Sequence, residues 1–349
     1  MIWLTWRQFR GSAVMMAVLL VVLAVVLALT GPKLAADYST GIAGCVQDDT
    51  CGRFYDRFFG AYDTPFMALT LVVLLLPALA GLFWGAPLIT RELEADTHLM
   101  VWSQSITRTR WLAVKLGLTG LVAVAAAGLC GLLVTWWSDP LDKSAAEGLA
   151  LMAPLVFGAR GIAPMGYAAF TFVLGVTVGM LVRRTLPAMA LTLVVFAAVQ
   201  LAMPLLVRPH LMPPVTSTFE LSEANVEGVG VNRGQGGSVE INLRLAVPGH
   251  AGAWVLSGSL VDPSGRTLGG DGEPGRVQVS TTSGPCAPAG PQGMGTCMAE
   301  INRLGYRQQA TYQPLDRFWP FQWIETGIYA LLTLGLTWFC FWWIRRRLS

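Results

Sequence analysis

The chain has 349 residues, of which 54% are hydrophobic and only 13% are charged. Soluble globular domains carry about 25% charged residues, so the composition excludes an ordinary soluble protein and predicts an integral membrane protein. The formal net charge of +3 is too small to predict a nucleic-acid partner.

Six apolar segments are each long enough to cross a bilayer, which takes about 20 residues of helix. Backbone polar groups in lipid must be satisfied internally, so helices are expected. A β-barrel would need alternating strands of about 10 residues, and these runs are continuous instead. The predicted fold class is an all-α polytopic membrane protein with six transmembrane helices. The predicted spans are Ser12–Thr30, Pro65–Ile89, Trp111–Trp137, Ile162–Val182, Leu186–Val207 and Phe321–Ile344.

An amphipathic segment precedes the first span. Ile2, Trp6 and Phe9 share one helical face, and the two arginines of the segment are turned away from it. This pattern predicts a short interfacial helix that leads into the first span. A cleaved signal peptide is the alternative, but its apolar region is typically about 7–15 residues long, and the run here is longer. The candidate interfacial residues are Trp3, Trp6, Arg7, Phe9 and Arg10.

Four cysteines form two close pairs outside the predicted spans. Cys45 and Cys51 lie in the polar segment 31–64, which is predicted to be an outer loop, and Cys286 and Cys297 lie in a long segment after the fifth span. On an oxidising side of the membrane these pairs predict two disulfides, and four free thiols are the alternative. The two remaining cysteines lie inside spans and are expected to be packing residues.

A charged island, residues 85–115, separates the second and third spans. Its opposite charges suit complementary docking to a soluble partner. The alternative is a solvated loop whose basic end only anchors the topology. Acidic residues contribute little to topology, so Glu92 and Glu94 favour the docking interpretation. The charged residues are Arg91, Glu92, Glu94 and Asp96 at the end of the second span, and Arg108, Arg110 and Lys115 at the start of the third.

Lysine and arginine are concentrated on one side of the predicted topology. Short cytoplasmic segments are rich in these residues, so both termini are predicted to be cytoplasmic and the protein to be a multi-pass protein of the cell membrane. The long segment after the fifth span is discounted, because long domains translocate largely regardless of charge. The residues on the basic side are Arg7, Arg10, Arg91, Arg108, Arg110, Lys115, Arg183, Arg184, Arg345, Arg346 and Arg347.

A domain-sized insertion, Arg208–Pro320, lies between the fifth and sixth spans. Its Gly and Pro punctuation and its alternating stretches, such as Ser238–Val247 and Trp254–Val261, predict a small β-rich extracellular domain. Asp262–Gly265 is a predicted turn between two strands. The predicted domains are residues 1–207, with the interfacial helix and the first five spans, residues 208–320, the β-rich domain, and residues 321–349, the sixth span and tail.

The segment Ala146–Gly161 is apolar but is interrupted by Arg160 before the fourth span. It is predicted to be an outer interfacial or re-entrant helix, because a continuous helix from Leu149 to Val182 would be too long for the bilayer unless it were strongly tilted.

Polar residues inside the predicted spans are few, and this weakly favours a lipid-like, drug-like or otherwise amphipathic cargo over ions or sugars. Glu325 lies near the outer end of the sixth span and is expected to reach the interface; a buried charge there would otherwise be a functional hypothesis. Pro77, Pro187 and Pro204 are expected to kink the second and fifth spans.

Motifs for nucleotide binding, metal binding and catalysis are absent from the sequence. There is no G-x-x-x-x-G-K-[ST], so any ATPase that powers this protein must be another chain. The three histidines are far apart and no H-E-x-x-H occurs, so no metal site is predicted. Ser257-Gly258-Ser259 does not match the G-x-S-x-G of hydrolases. The chain is therefore predicted not to be an enzyme.

The charged island resembles the inner loop of the permease subunits of ABC-2 type exporters. That loop has a Glu, then Gly-Thr, then a short Thr/Ser-Pro step, then Arg and Lys. Asp96 replaces the usual Gly here and Ile106 the usual Pro, so the helix ending is expected to differ. The resemblance covers the whole chain, which looks most like actinobacterial-type permeases with the MIWLTWRQFR opening and a large outer insertion. The matching residues are Arg91-Glu92, Thr97, Ser105, Arg108 and Lys115.

The resemblance implies an ATP-driven exporter. Glu92 and its neighbours would lie on a coupling helix in a groove of a cytoplasmic ABC ATPase subunit, present in two copies, and the N-terminal helix would touch the same subunit. ATP and Mg would bind that subunit, with no cofactor on this chain. A second permease copy or a paralogue would complete the pathway, surrounded by membrane lipid. The implied ATPase-coupling residues are Arg91, Glu92, Glu94, Asp96, Thr97, Arg108 and Lys115.

A second class of function fits the same topology. The chain could be a non-transporting membrane sensor or assembly scaffold whose outer domain binds a ligand or protein. A neighbouring ATPase gene would favour transport, whereas a neighbouring kinase or sigma-factor regulator would favour sensing.

Overall fold

The computed structural model describes most of the chain. The described residues are 2–44, 48–95, 107–143, 149–222, 225–232, 238–250, 252–270, 273–281, 284–287 and 294–346; for 2–9, 48–53, 231–232 and 294 the backbone alone is described.

Helices dominate the described residues. Among the described residues, six helical segments are long and apolar enough to cross a membrane, which confirms the predicted fold class. The candidate spans are Arg10–Ala43, Phe54–Glu94, Arg108–Lys143, Ala163–Val182, Thr185–His210 and Leu315–Arg346. The helices are α1 (Ile2–Ala43), α2 (Asp48–Leu79), α3 (Ala86–Glu94), α4 (Arg108–Lys143), α5 (Pro154–Phe157), α6 (Ala163–Val182), α7 (Thr185–Ala202), α8 (Met294–Arg303) and α9 (Phe318–Arg346).

The first helix, α1, includes the predicted N-terminal helix and the first span. It runs without interruption over 42 residues, so the N-terminal segment continues directly into the span. At about 1.5 Å per residue, α1 is roughly 63 Å long, which exceeds the hydrocarbon core of about 30 Å. Arg10 is exposed. The side chains of Trp3, Trp6, Arg7 and Phe9 lie outside the described residues, so their contact with the membrane surface stays a prediction.

The predicted outer loop over 31–64 is mostly helical. Helix α1 continues to Ala43 and α2 begins at Asp48, so both spans extend into one helical hairpin. Tyr38 packs against Phe58 with ring centroids 5.5 Å apart, and the hydroxyl of Tyr62 donates to the Asp37 carboxylate at 2.7 Å. These contacts join the end of α1 to the start of α2. The polar composition of the segment gives no indication of this helix pairing. The pairing of Cys45 with Cys51 lies outside the described residues.

The second and fifth spans, in which prolines are expected to produce kinks, each contain one π-helical turn. Residues Ala80–Gly85 join α2 to α3 shortly after Pro77, and Met203–Val207, which contains Pro204, joins α7 to the 3₁₀ turn Arg208–His210. Pro187 lies in the first turn of α7, where a missing N–H donor costs no helical hydrogen bond.

Helix α6 lies at the centre of the bundle. In the most apolar stretch of α6, 78% of the residues are buried, compared with 6% in the first span and 17% in the fifth. Helix α6 packs against the second, third, fifth and sixth spans. We call the end of the bundle that holds the end of α3 and the turn between α6 and α7 the loop side, and the opposite end the domain side.

Glycines bring the second span and α6 into backbone contact. On α6, Gly175 lies against the backbone of Gly81 and Gly85, and Gly179, four residues further on, lies against Ala86 and Thr90 of α3. A Cβ atom added to Gly175 would lie 2.5 Å from the carbonyl oxygen of Gly81 and 2.8 Å from the amide nitrogen of Ala86. Small residues at this spacing let membrane helices approach closely, so the two segments form one unit.

The region between the fifth and sixth spans is β-rich, as predicted. One antiparallel sheet has the strand order β1-β7-β4-β5 and the other has β2-β3-β6. Side chains from both sheets and from α8 share one apolar core. The strands all lie within the predicted range 208–320, whose boundaries stay a prediction. They are β1 (Val215–Phe219), β2 (Val226–Asn232), β3 (Ser238–Leu243), β4 (Trp254–Val261), β5 (Thr267–Gly270), β6 (Gly275–Gln278) and β7 (Arg307–Gln313).

Two local predictions in this domain are confirmed. Asp262 to Gly265 form the turn between β4 and β5, closed by the bond from the amide of Gly265 to the carbonyl of Asp262 at 2.9 Å. A disulfide joins Cys286 to Cys297, a residue of α8. The disulfide is buried and belongs to the apolar core of the domain.

The segment Ala146–Gly161 does not form the predicted outer interfacial or re-entrant helix. Its described part, from Leu149 onwards, contains a helix of only four residues, α5, and otherwise turns. Arg160 is fully buried and its guanidinium lies 3.3 Å from the carboxylate of Asp142 on α4. That pair and the turn at Gly161, which has a φ of +60°, hold the segment inside the protein as a folded connection. Its amide at Met152 donates to the carbonyl of Gly252 in the outer domain at 3.1 Å.

Candidate functional site

The loop side brings two predicted coupling residues together. Glu92, in the last turn of α3, forms an ion pair with Lys115 of α4. The side chain of Lys115 is 6% exposed and that of Glu92 is 18% exposed. The ammonium of Lys115 also lies 4.8 Å from the ring centroid of Trp111. The two ends of the charged island, which the sequence treats as separate clusters, are therefore joined, and the second span is tied to the third.

Glu94 makes a second link on the same side. Its carboxylate accepts hydrogen bonds from the amide of Thr185 at 2.8 Å and from the hydroxyl of Thr185 at 2.7 Å. Thr185 is the first residue of α7, and the N-cap residue Arg184 makes no side-chain cap. The free amides and the dipole at a helix N-terminus favour a carboxylate there. Glu94 therefore caps the fifth span from another helix.

Thr185 and Thr90 are functional candidates that the sequence interpretation missed. Their hydroxyls lie 2.9 Å apart, and Thr90 is buried on α3. Arg183 adopts a left-handed conformation with a φ of 57° and closes α6, so that α7 begins beside α3. Thr185 is 91 residues from Glu94 in the chain. The local sequence, a threonine that follows two arginines, does not indicate a contact with α3.

The other predicted coupling residues are placed as follows. Arg91 is exposed and Arg108 is half-buried at the start of α4. Asp96 and Thr97 lie outside the described residues, so their part in the site stays a prediction. Across the described ranges, no group of three or more His, Cys, Asp or Glu residues is arranged to hold a metal ion.

The domain side contains a buried ion pair, and here the expectation for Glu325 is wrong. Glu325 does not reach the interface: it is fully buried and accepts two hydrogen bonds from Arg208, at 2.9 and 3.0 Å. The hydroxyl of Tyr167 donates to the same carboxylate. The guanidinium of Arg208 lies 4.2 Å from the ring centroid of Phe157. Glu325 stays buried because Arg208 neutralises its charge. The predicted fifth span ends at residue 207, so the sequence does not place Arg208 inside the bundle.

The buried network continues between the last three spans. The rings of Tyr167 and Tyr329 pack edge to face with centroids 4.8 Å apart. The hydroxyl of Tyr329 donates to the side-chain oxygen of Gln200 at 2.7 Å. Gln322 accepts from the amides of Ile162 and Ala163 at 3.1 and 2.8 Å and so caps α6. The sixth span is thus joined to α6 and to the fifth span by polar contacts.

The fold and these contacts define a polytopic membrane protein whose helices are linked at both ends by polar contacts. A family model described as ABC-2 membrane transporter related matches residues 17–208. This is more than half of the chain, and the chain belongs to that family. The match begins inside the first span and ends at Arg208, near the end of the fifth span and before the β-rich domain. Comparison with curated proteins and with solved structures found no match.

Family membership fixes the class of function. The chain is a membrane subunit of a transporter, of a family whose membrane subunits are typically non-catalytic and work in general with an ABC ATPase. The loop that the resemblance identifies as the coupling segment lies between α3 and α4, and both of its described ends make polar links to other spans.

Proposed function

We propose that this chain is the permease subunit of an ATP-driven exporter, and that the loop between α3 and α4 faces the cytoplasm and receives the force of the ATPase. The observation that carries the proposal is the ion pair between Glu92 and Lys115. It joins the end of the second span to the start of the third at the base of the loop. A push on the loop would therefore move both spans together.

The basic residues support the cytoplasmic assignment of the loop side. Arg91, Arg183 and Arg184 are exposed at this end of the bundle, and Arg345 and Arg346 close the sixth span. Basic residues near span ends mark the cytoplasmic side. On this assignment both termini are cytoplasmic and the β-rich domain is extracellular.

The spans favour an amphipathic or lipid-like cargo. The hydroxyls of Thr171, Thr177, Thr192 and Thr333 each donate to the carbonyl four residues earlier in their own helix. They are thereby satisfied without water or a polar ligand. The fifth span exposes large apolar residues such as Leu186 and Leu205. We infer that a second permease copy or a paralogue, together with membrane lipid, covers such surfaces, and that two ATPase copies serve the pair.

Co-purification and ATP hydrolysis test this function. The chain is co-expressed with the ABC ATPase encoded nearest to it, and the complex is reconstituted in nanodiscs, where ATP hydrolysis is measured. Glu92→Ala is expected to abolish driven transport, and with it the permease-dependent part of ATP hydrolysis, while membrane insertion is retained.

The matched control is Glu227→Ala, which removes an exposed carboxylate of β2 on the opposite side. Equal ATP hydrolysis in the two variants would contradict the coupling role of Glu92. Failure of the chain to form a complex with the ATPase would contradict the proposed function as a whole and would favour a membrane sensor.

A further inference from the structure

Within the single chain, the fifth span packs along one narrow face. In the most apolar stretch of this span, only 17% of the residues are buried inside the chain. Its buried side chains, Ala188, Thr192 and Phe196, recur every four residues and so form one narrow stripe. Within the single chain, this stripe and the bond from the hydroxyl of Tyr329 to Gln200 hold the middle of the span.

Polar bonds hold the loop-side end of the fifth span. Glu94 bonds to both the amide and the hydroxyl of Thr185, and the hydroxyl of Thr90 lies 2.9 Å from that of Thr185. Both partners belong to α3, the helix that leads into the coupling loop. The start of the fifth span is thus attached to α3 by three polar contacts.

The domain-side end of the fifth span is held by the ion pair of Arg208 with Glu325. Arg208 follows the π-helical turn of this span, and β1 begins at Val215. Arg208 also donates to the carbonyl of Pro154 at 3.3 Å. The segment that contains Pro154 bonds to the outer domain through the amide of Met152. The end of the span is therefore fixed where the outer domain joins the bundle.

A helix that is bonded to other segments at both of its ends can carry displacement along its axis. The span Thr185–His210 has 26 residues, which corresponds to about 39 Å and is enough to cross the membrane. We propose that the fifth span is a strut that carries the movement of α3 to the junction with the outer domain, with Glu94 and Thr185 as positioning residues at its loop-side end. This inference rests on the proposed function, because it requires an ATPase that moves α3.

Hydrogen exchange of the reconstituted complex tests the strut. Backbone exchange is measured in nanodiscs with and without ATP and vanadate, for peptides of α3 and α4 on the loop side and for peptides around residues 149–157 and 208–215 on the domain side. In the native chain both sets are expected to change. In Thr185→Val, which removes the two hydroxyl contacts and keeps the amide bond to Glu94, the loop-side change should persist and the domain-side change should be reduced. Thr185→Ser, which keeps the hydroxyl, should behave like the native chain.

The outcomes separate the strut from the proposed function. A full domain-side change in Thr185→Val would overturn the strut while leaving the driven permease intact. No change on either side in the native complex would overturn the proposed function, and the strut with it. A purely structural role for Thr185 would lower the unfolding temperature of Thr185→Val without reducing the domain-side change, so that unfolding temperature is measured in parallel.

Discussion

Arg208 and Glu325 lie 117 residues apart in the sequence and form a two-bond ion pair inside the helical bundle. Their side chains are 2% and 0% exposed. Removal of two charges from water is costly and is offset only by good geometry and further hydrogen bonds. Tyr167 and the carbonyl of Pro154 supply such bonds. The pair therefore selects which faces of the fifth and sixth spans meet.

Breaking this pair should destabilise the protein strongly. Glu325→Leu leaves the guanidinium of Arg208 buried without its carboxylate, and we expect the free energy of unfolding to fall by about 3–5 kcal/mol. The double variant Arg208→Met with Glu325→Leu should recover part of this loss, because no unpaired charge remains. Reversible unfolding in mixed micelles measures both changes.

The control for that experiment is an exposed ion pair. Lys143 and Asp139 are 57% and 60% exposed, so Asp139→Ala should change the free energy of unfolding by only about 0–1 kcal/mol. If Glu325→Leu cost no more than Asp139→Ala, the assignment of a buried ion pair would be wrong.

Charge reversal tests the link between Glu92 and Lys115. Glu92→Lys places two positive charges together at the base of the coupling loop, so we expect the permease-dependent ATP hydrolysis of the complex to be lost. Adding Lys115→Glu restores opposite charges and should restore part of that activity. Nanodisc ATPase assays measure the rescue. A double variant as inactive as Glu92→Lys would show that the pairing itself is not what the ATPase acts through.

The glycine contact between the second span and α6 makes a third prediction. Gly175→Ala would place a methyl group 2.5 Å from the Gly81 carbonyl oxygen, against backbone that cannot rotate away. Overpacking of this kind costs about 1–3 kcal/mol, which we expect to see in micellar unfolding. The matched control is Gly117→Ala, in a helix position with nothing within 4 Å; it should be neutral or slightly stabilising. Equal stability of the two variants would argue against the close approach.

The disulfide between Cys286 and Cys297 makes a fourth prediction. It closes a short loop with a sequence separation of 11 residues, and its removal by Cys286→Ser with Cys297→Ser should cost the outer domain about 2–4 kcal/mol. Exchange of the domain amides measures this loss. Before reduction, a thiol reagent should leave both cysteines unlabelled, and after reduction and unfolding it should label both. The control is Cys130→Ser, which changes a buried free cysteine. Labelling of both residues before reduction would contradict the disulfide.

Several features of this protein follow from the sequence because they depend on neighbouring residues. An apolar run near the length of a bilayer identifies a span wherever it occurs, and all six spans were predicted. The turn at Asp262 to Gly265 and the disulfide of Cys286 with Cys297 also depend on short spacings. The helical hairpin around Tyr38 and Phe58 was missed, because its aromatic contacts join two helices and leave no local periodic signal.

The candidate site was predictable only in part. The charged island, family resemblance and spacing indicated Glu92, Glu94 and Lys115 as residues of interest, but they did not indicate that Glu92 binds Lys115 or that Glu94 caps the helix at Thr185. Each of these contacts joins two helices. Their geometry depends on how α3, α4 and α7 pack around α6.

The sequence by itself determined the apolar spans, the β-rich insertion and the position of the charged island, because hydrophobic length and turn chemistry act over neighbouring residues. Only the tertiary structure decided where Glu325 lies. A carboxylate near a span end reaches water unless a cation is brought to it, and Arg208 comes from another helix 117 residues away. The same holds for Gly81 and Gly175: each is an ordinary small residue in its own helix, and becomes a close contact only when the two helices meet.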